Sequence, residues 1–209
     1  MELSRRSLFL GALTPPSDWV SLFDGVSARG WLEVTGLAFP AATWRVEQGC
    51  LRSVPAETGG FQDIRTTAEF TEFEFEFEWR IEPGGNSGVK YFIERTNRWP
   101  APDGGYNARG RGAEYQIIDD ASESDDGKHC GALYGRIAPR LAAANRVGEF
   151  NMSKIIVAAG RVEHWLNGEL VVQYKAAARK SPIVLQHHNS TAWFRRLRVR
   201  RIESPAPAG

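Results

Sequence analysis

Lys90, Glu114, Gln116, Gln186 and His188 put one ammonium, one carboxyl, two amides and one imidazole into three otherwise apolar runs. A positioned carboxylate takes a proton, an imidazolium gives one, and an ammonium steadies an oxygen that is turning negative. The set therefore suits acid-base chemistry with charge stabilisation. In Val89-Lys90-Tyr91-Phe92-Ile93 the apolar side chains of Val89, Tyr91 and Ile93 alternate with Lys90. In Glu114-Tyr115-Gln116-Ile117-Ile118, Tyr115 and Ile117 alternate with Glu114 and Gln116, and in Ile183-Val184-Leu185-Gln186-His187-His188, Ile183 and Leu185 alternate with Gln186 and His188. A strand repeats every two residues, so each run sends its apolar set to a core and its polar set to the opposite face. For one strand alone, an ordinary solvated face explains this as well. Three strands converge on the same pattern, and Gln, Glu and His are poor strand formers, which favours a functional face.

Other candidates are more ambiguous. Asn86 and Ser87 stand at the turn entering the Lys90 strand, where side-chain oxygens serve either a ligand or the backbone. His164 shares a face with Val162 and Leu166, as a buried, hydrogen-bonded histidine does, and is also a candidate for ligand contact. Arg95 to Gly112, which includes Trp99 and Tyr106, is rich in Gly and Pro and reads as a long surface loop of the kind that often carries function. Asp120 to Gly131 reads the same way.

The elements that must position these groups are strands. Phe73-Glu74-Phe75-Glu76-Phe77-Glu78-Trp79-Arg80-Ile81 alternates strictly, which only a half-buried strand matches. Asn167-Gly168, between two strand-like runs, is the preferred dipeptide of a type I′ hairpin turn. Further strands are expected near Trp44–Val46, Leu51–Val54, Lys154–Ala158 and Trp193–Ile202. Gly and Pro, 21 and 11 of them, interrupt the chain too often for long helices. The expected fold is all-β, a two-sheet antiparallel jelly-roll sandwich. Its expected extent is residues 17–203, between a 1–16 leader and a 204–209 tail.

With 26 Lys and Arg against 25 Asp and Glu, no net field draws the 209-residue chain to nucleic acid. The run Arg195, Arg196, Arg198, Arg200 and Arg201 alternates with Leu197 and Val199 as an edge or half-exposed strand would. No segment reaches the roughly 18 apolar residues of a membrane span. Ser4-Arg5-Arg6-Ser7-Leu8-Phe9-Leu10 resembles a shortened twin-arginine export signal, which points to the periplasm or secretion. Two cysteines, Cys50 and Cys130, define no disulfide scaffold and no zinc motif.

An ordered series of motifs resembles the 3-keto-disaccharide hydrolase domain family. It comprises Leu22-Phe23-Asp24-Gly25 with Gly30-Trp31, Pro83-Gly84-Gly85-Asn86-Ser87-Gly88-Val89-Lys90-Tyr91-Phe92, and Glu114-Tyr115-Gln116-Ile117-Ile118-Asp119-Asp120. Gly131-Ala132-Leu133-Tyr134, Gly148-Glu149-Phe150-Asn151, His164-Trp165-Leu166-Asn167-Gly168, Ser181 to His188 and Trp193-Phe194-Arg195 complete it. The resemblance implies a concanavalin A-like lectin/glucanase sandwich, a carbohydrate ligand and cleavage of 3-keto glycosides. It adds Asp119 to the substrate-binding candidates, and to Lys90, Glu114, Gln116, Gln186, His188, Asn86 and Ser87 it gives matching motif positions. Ala121-Ser122-Glu123-Ser124-Asp125-Asp126 replaces a His-Pro-Asp segment usual in relatives, and Asn189 replaces a glycine.

A ketone at C3 makes the C2 proton acidic, and the glycosidic oxygen at C1 is then β to the carbanion. Such a reaction needs a base, which Glu114 would supply, a donor at O3, which Lys90 would supply, and an acid at the leaving oxygen, His188; the three roles are open to permutation. A divalent metal held by Asp119 or a nearby histidine is an alternative electrophile. Two rival readings stand beside this one. A non-catalytic carbohydrate-binding module would use aromatic platforms such as Trp99 and Tyr106. An ordinary retaining glycosidase would need paired carboxyl groups, and Glu114 and Asp119, the nearest pair, fall on opposite faces of a regular strand.

Overall fold

A computed structural model describes residues 18–55 and 60–202; the twin-arginine-like segment lies outside them. The strands are β1 (Val20–Ser21), β2 (Trp31–Glu33), β3 (Trp44–Glu47), β4 (Cys50–Ser53), β5 (Ile64–Thr66), β6 (Phe73–Ile81) and β7 (Asn86–Pro100). After these come β8 (Tyr106–Ile118), β9 (Asn151–Ala158), β10 (Arg161–Leu166), β11 (Glu169–Lys175), β12 (Val184–Leu185) and β13 (Ala192–Arg201). They form two antiparallel sheets packed face to face. The larger runs β11-β10-β9-β6-β13-β4-β3, with β1 also on β13, and the smaller runs β2-β5-β12-β7-β8.

Strict alternation explains β6. Phe73, Phe75, Phe77 and Trp79 are at most 2% exposed and meet Tyr91, Tyr115, Ile117 and Leu185 of the smaller sheet in one core. Burying rings of this size supplies roughly 2 kcal/mol each or more. On the outer face, Glu74, Glu76 and Glu78 accept hydrogen bonds from Arg200, Arg198 and Arg195 of β13 at 2.7 to 2.8 Å. The arginine run thus lies inside the sheet and not at an edge: β13 pairs with β6 along its length, with β4 at Trp193 and Phe194, and with β1 at Arg198 and Val199. Its cations are taken up by a glutamate ladder. Asn167 (φ 49°) and Gly168 (φ 91°) make the β10–β11 turn, the left-handed pair that a type I′ turn requires.

The stretch from Arg95 to Gly112 is not a loop. It is the far half of a long hairpin, β7 against β8, whose turn is only residues 101–105. Between Tyr91 and Arg95 the register slips at a bulge where Phe92 has φ 52°. The bulge turns Phe92 into the main core and moves Ile93 to the opposite face, against Val34, Ala108 and Val184. Ile93 therefore departs from the strict alternation expected of this run. Cys50 and Cys130 are both buried free thiols.

Candidate functional site

On the smaller sheet, Lys90 stands opposite Glu114, and Gly88 opposite Gln116, in the β7–β8 register. The Lys90, Glu114 and Gln116 side chains project away from the core formed by Val89, Tyr91, Tyr115 and Ile117. Strand β12 lies on the other side of β7, and the chain leaving it carries Gln186 and His188 to the same face. Along the free edge of β8 runs segment 131–137: Gly131 N donates to Gln116 O at 2.9 Å, and Tyr134 N to Glu114 O at 3.0 Å. This segment brings Tyr134 and Arg136 over the sheet. The result is a pocket of 280 Å³ with Lys90, Glu114, Gln116 and Gln186 in its lining, Asn86 and His188 beside them, and Arg109, Arg111, Tyr134 and Arg136 completing it.

Beneath the pocket, Asp63 and Lys90 form an ion pair shut away from solvent, Nζ to Oδ2 2.9 Å. Asp63 also accepts from Gly110 N at 3.1 Å and His187 N at 3.0 Å, so its carboxylate is fully engaged. Lys90 Nζ lies 3.8 Å from Glu114 Oε2 on its other side. Burial raises the pKa of the Glu114 carboxyl above the ordinary carboxylate range. The Lys90 ammonium opposes the rise and the Asp63 carboxylate adds to it, while a hydrogen bond from Gln186 favours the ionised form. Gly88 makes room for this carboxyl, since a Cβ there would stand 2.7 Å from Glu114 Oε1.

The Gln116 amide is buried with no partner for its oxygen or its nitrogen, and Gln186 Oε1 is likewise unpartnered. Unsatisfied buried amides cost about 1–3 kcal/mol each, and both face a cavity where a ligand with hydroxyl or carbonyl groups would satisfy them. His188 sits at the exposed rim, its ring parallel to Phe61 at 6.4 Å between centroids. Partial burial and the Arg109 cation hold its pKa below the usual imidazole value.

The remaining candidates lie elsewhere. The Ser87 hydroxyl is buried and donates to the Gln186 carbonyl at 2.7 Å, so it positions a pocket residue without lining the pocket. His164 lies wholly inside the sandwich. Its Nδ1 bonds the Gly131 carbonyl at 2.8 Å, and its Nε2 shares a hydrogen bond with the Tyr91 hydroxyl at 2.6 Å. The substrate-contact reading of His164 is thereby replaced by a packing one. Asp119 Oδ2 accepts from Gly84 N at 2.9 Å and Oδ1 from Ala121 N at 3.2 Å, which caps a short 3₁₀ turn, Asp120–Ser122. It does not line the pocket, and its oxygens are used by backbone. Among the described residues no three His, Cys, Asp or Glu side chains are grouped to hold a metal, so the residues present do not fit a metal at Asp119. Trp99 packs edge-on against Phe61 at 5.7 Å, and Tyr106 lies under the Arg98 guanidinium. Neither lines the pocket.

Sequence reasoning misses Asp63, Arg109, Arg111, Tyr134 and Arg136. Asp63 precedes a three-residue strand too short to show a period, and Arg109 and Arg111 fall in the stretch that reads as loop.

The polar lining of this pocket, with its unpartnered amides, suits a ligand rich in hydroxyl and carbonyl groups. Residues 18–200 match the profile of the 3-keto-alpha-glucoside-1,2-lyase-like domain. The chain belongs to this family. Members of the 3-keto-alpha-glucoside-1,2-lyase-like family are carbohydrate-active, a class of glycoside hydrolases and lyases, which implies a sugar ligand. The chain is 26% identical to a 3-keto-disaccharide hydrolase of Bacteroides thetaiotaomicron over 227 aligned positions, covering 87% of this chain and 78% of that one. Among solved structures it is similar to a candidate glycosyl hydrolase of Parabacteroides distasonis, with 26% identity, TM-score 0.73, and coverage of 88% and 94%. A second from the same organism, at 23% identity and TM-score 0.67 over 88% and 99% of the two chains, shares the fold. No helix among the described residues is long and apolar enough to cross a membrane.

Proposed function

We propose that this protein cleaves the glycosidic bond of 3-keto glycosides, beginning with removal of the C2 proton by Glu114. The observation that carries the reading is a carboxyl with a raised pKa in a sugar-sized pocket, 3.8 Å from a buried ammonium. A base works best when its pKa approaches the working pH, and burial moves Glu114 in that direction. The C2–H bond breaks, its proton passes to Glu114, and the electron pair spreads onto O3 as an enolate. Lys90, and an N–H of the unpartnered Gln116 amide, supply charge and a donor for that oxygen. The enolate collapses to a C1=C2 double bond as the C1–O bond breaks. The leaving oxygen takes a proton from His188 at the rim. Release at this stage is a lyase reaction, and addition of water across C1=C2 makes it net hydrolysis.

The ordinary glycosidase reading has less support, because retaining enzymes need two carboxyl groups about 5 Å apart. Glu114 is the only carboxyl among the described residues lining the pocket, and Asp63 is fully engaged beneath it. A simple binding module would not need a buried ion pair beside a carboxyl of raised pKa. Incubation with a glucoside and with its 3-keto derivative tests the proposal. Release of the aglycone from the 3-keto compound alone is expected. Cleavage of the unoxidised glucoside, or binding of both without cleavage, contradicts it.

A further inference from the structure

The pocket carries more positive charge than enolate formation requires. The Asp63 carboxylate balances Lys90, which leaves Glu114 as the single anion facing Arg109, Arg111 and Arg136. Arg109 lies over the Phe61 ring with its centre 4.6 Å from the centroid, and donates weakly to the His187 carbonyl at 3.4 Å. Arg111 and Arg136 are exposed, and among the described residues neither has an acidic partner within ion-pair distance. Arg111 also stands directly opposite Arg95 in the β7–β8 register, a like-charge pair that costs the hairpin stability. On β13, by contrast, Arg195, Arg198 and Arg200 each meet a glutamate. Two unpaired guanidinium groups on one pocket, with the partnerless Gln116 amide at its floor, form a receptor for an anion attached to a sugar.

Resting on the 3-keto glycoside reading, we infer that the substrate is an acidic glycoside whose carboxylate or phosphate pairs with Arg111 and Arg136. The charge sits on either the oxidised sugar or the aglycone. Four substrates separate these cases: methyl 3-keto-glucoside and methyl 3-keto-glucuronide, and a 3-keto-glucosyl disaccharide ending in glucose or in glucuronate. A 6-phosphate analogue of the first distinguishes phosphate from carboxylate. At low salt, kcat/KM for at least one acidic member should exceed that of its neutral parent by roughly tenfold or more. The ratio should shrink at about 0.5 M salt, where exposed charges are screened, and should approach one in Arg111→Gln/Arg136→Gln. Both positions are exposed, so the variant should fold. Ratios at or below one for every pair, or a ratio unchanged in the double variant, overturn the inference. If none of the keto glycosides reacts, the function reading fails by itself. The Kd ratio of unoxidised methyl glucuronide to methyl glucoside on the unaltered protein then decides the charge preference, a ratio of one overturning it.

Discussion

Asp63 and Lys90 are held 2.9 Å apart with both side chains out of solvent, and the ammonium reaches Glu114 only from the far side of that pair. The charge offered to the substrate is therefore fixed by a residue that does not line the pocket. Asp63→Asn strands the buried ammonium and should destabilise the fold by about 3–5 kcal/mol, as breaking buried pairs generally does. Lys90→Met strands the carboxylate at a similar cost. The double variant should recover much of the loss, giving a strongly non-additive cycle in urea denaturation. Additive losses would mean that the pair does not act as one unit.

Glu114 is raised and His188 lowered from their ordinary values, so the two titrations are drawn toward each other. The reaction needs Glu114 ionised and His188 protonated. Its kcat/KM should rise as pH passes the elevated carboxyl pKa and fall as pH passes the depressed imidazole pKa, a narrow optimum on the acid side of neutral. His188→Gln should remove the falling limb and leave the rising one. A falling limb that persists in that variant takes the leaving-group proton away from His188.

Gly88→Ala places a methyl against the Glu114 carboxyl, 2.7 Å from Oε1. The obstruction is the end of a flexible side chain, so Glu114 should swing aside with thermal stability changed by less than about 1 kcal/mol. Displacing a catalytic group by about 1 Å can cost about 100-fold in rate. A variant with unaltered kcat would show that the carboxyl can work without the space that Gly88 leaves it.

His164 ties the core to the wall of the pocket. The Gly131 carbonyl can only accept, so Nδ1 carries the proton and Nε2 accepts from Tyr91. Burial lowers its pKa to about 4. An unfolded chain protonates histidine near pH 6.5, and the folded one resists until about 4. Stability is thus fully present above the unfolded value and is lost as pH falls through that interval, by on the order of 3 kcal/mol. Imidazole resonances followed by NMR should show one histidine titrating near the lower value. Normal titration of all four histidines would contradict the burial of His164.

What is legible in the sequence depends on strand length and on regular period. Strand β6 can be read at its observed bounds, Phe73–Ile81, because nine residues alternate without a break. The same period puts Lys90, Glu114, Gln116, Gln186 and His188 on one face, and the structure gathers those five around one pocket, though this placement tests no role. The far half of the β7–β8 hairpin is obscured by its Gly and Pro content and by the bulge at Phe92, which local propensity cannot reveal. Asp63 is invisible because its importance arises from long-range partners, Lys90, Gly110 and His187. His164 and Asp119 show the converse: polar residues in motif positions whose bonding capacity is used by Tyr91 and backbone groups.

The most direct test of the central claim is hydrogen exchange at C2 of a 3-keto glycoside in heavy water, measured beside aglycone release for the native protein and for Glu114→Gln. The amide keeps the shape of the carboxyl but cannot take the proton, so binding should survive while exchange and release fall together by about 100-fold or more. C2-deuterated substrate should show a primary isotope effect on native kcat/KM if proton removal limits the rate, and C2 exchange in recovered substrate if it does not. Aglycone release with neither an isotope effect nor C2 exchange, or full release by Glu114→Gln, would contradict proton abstraction by Glu114.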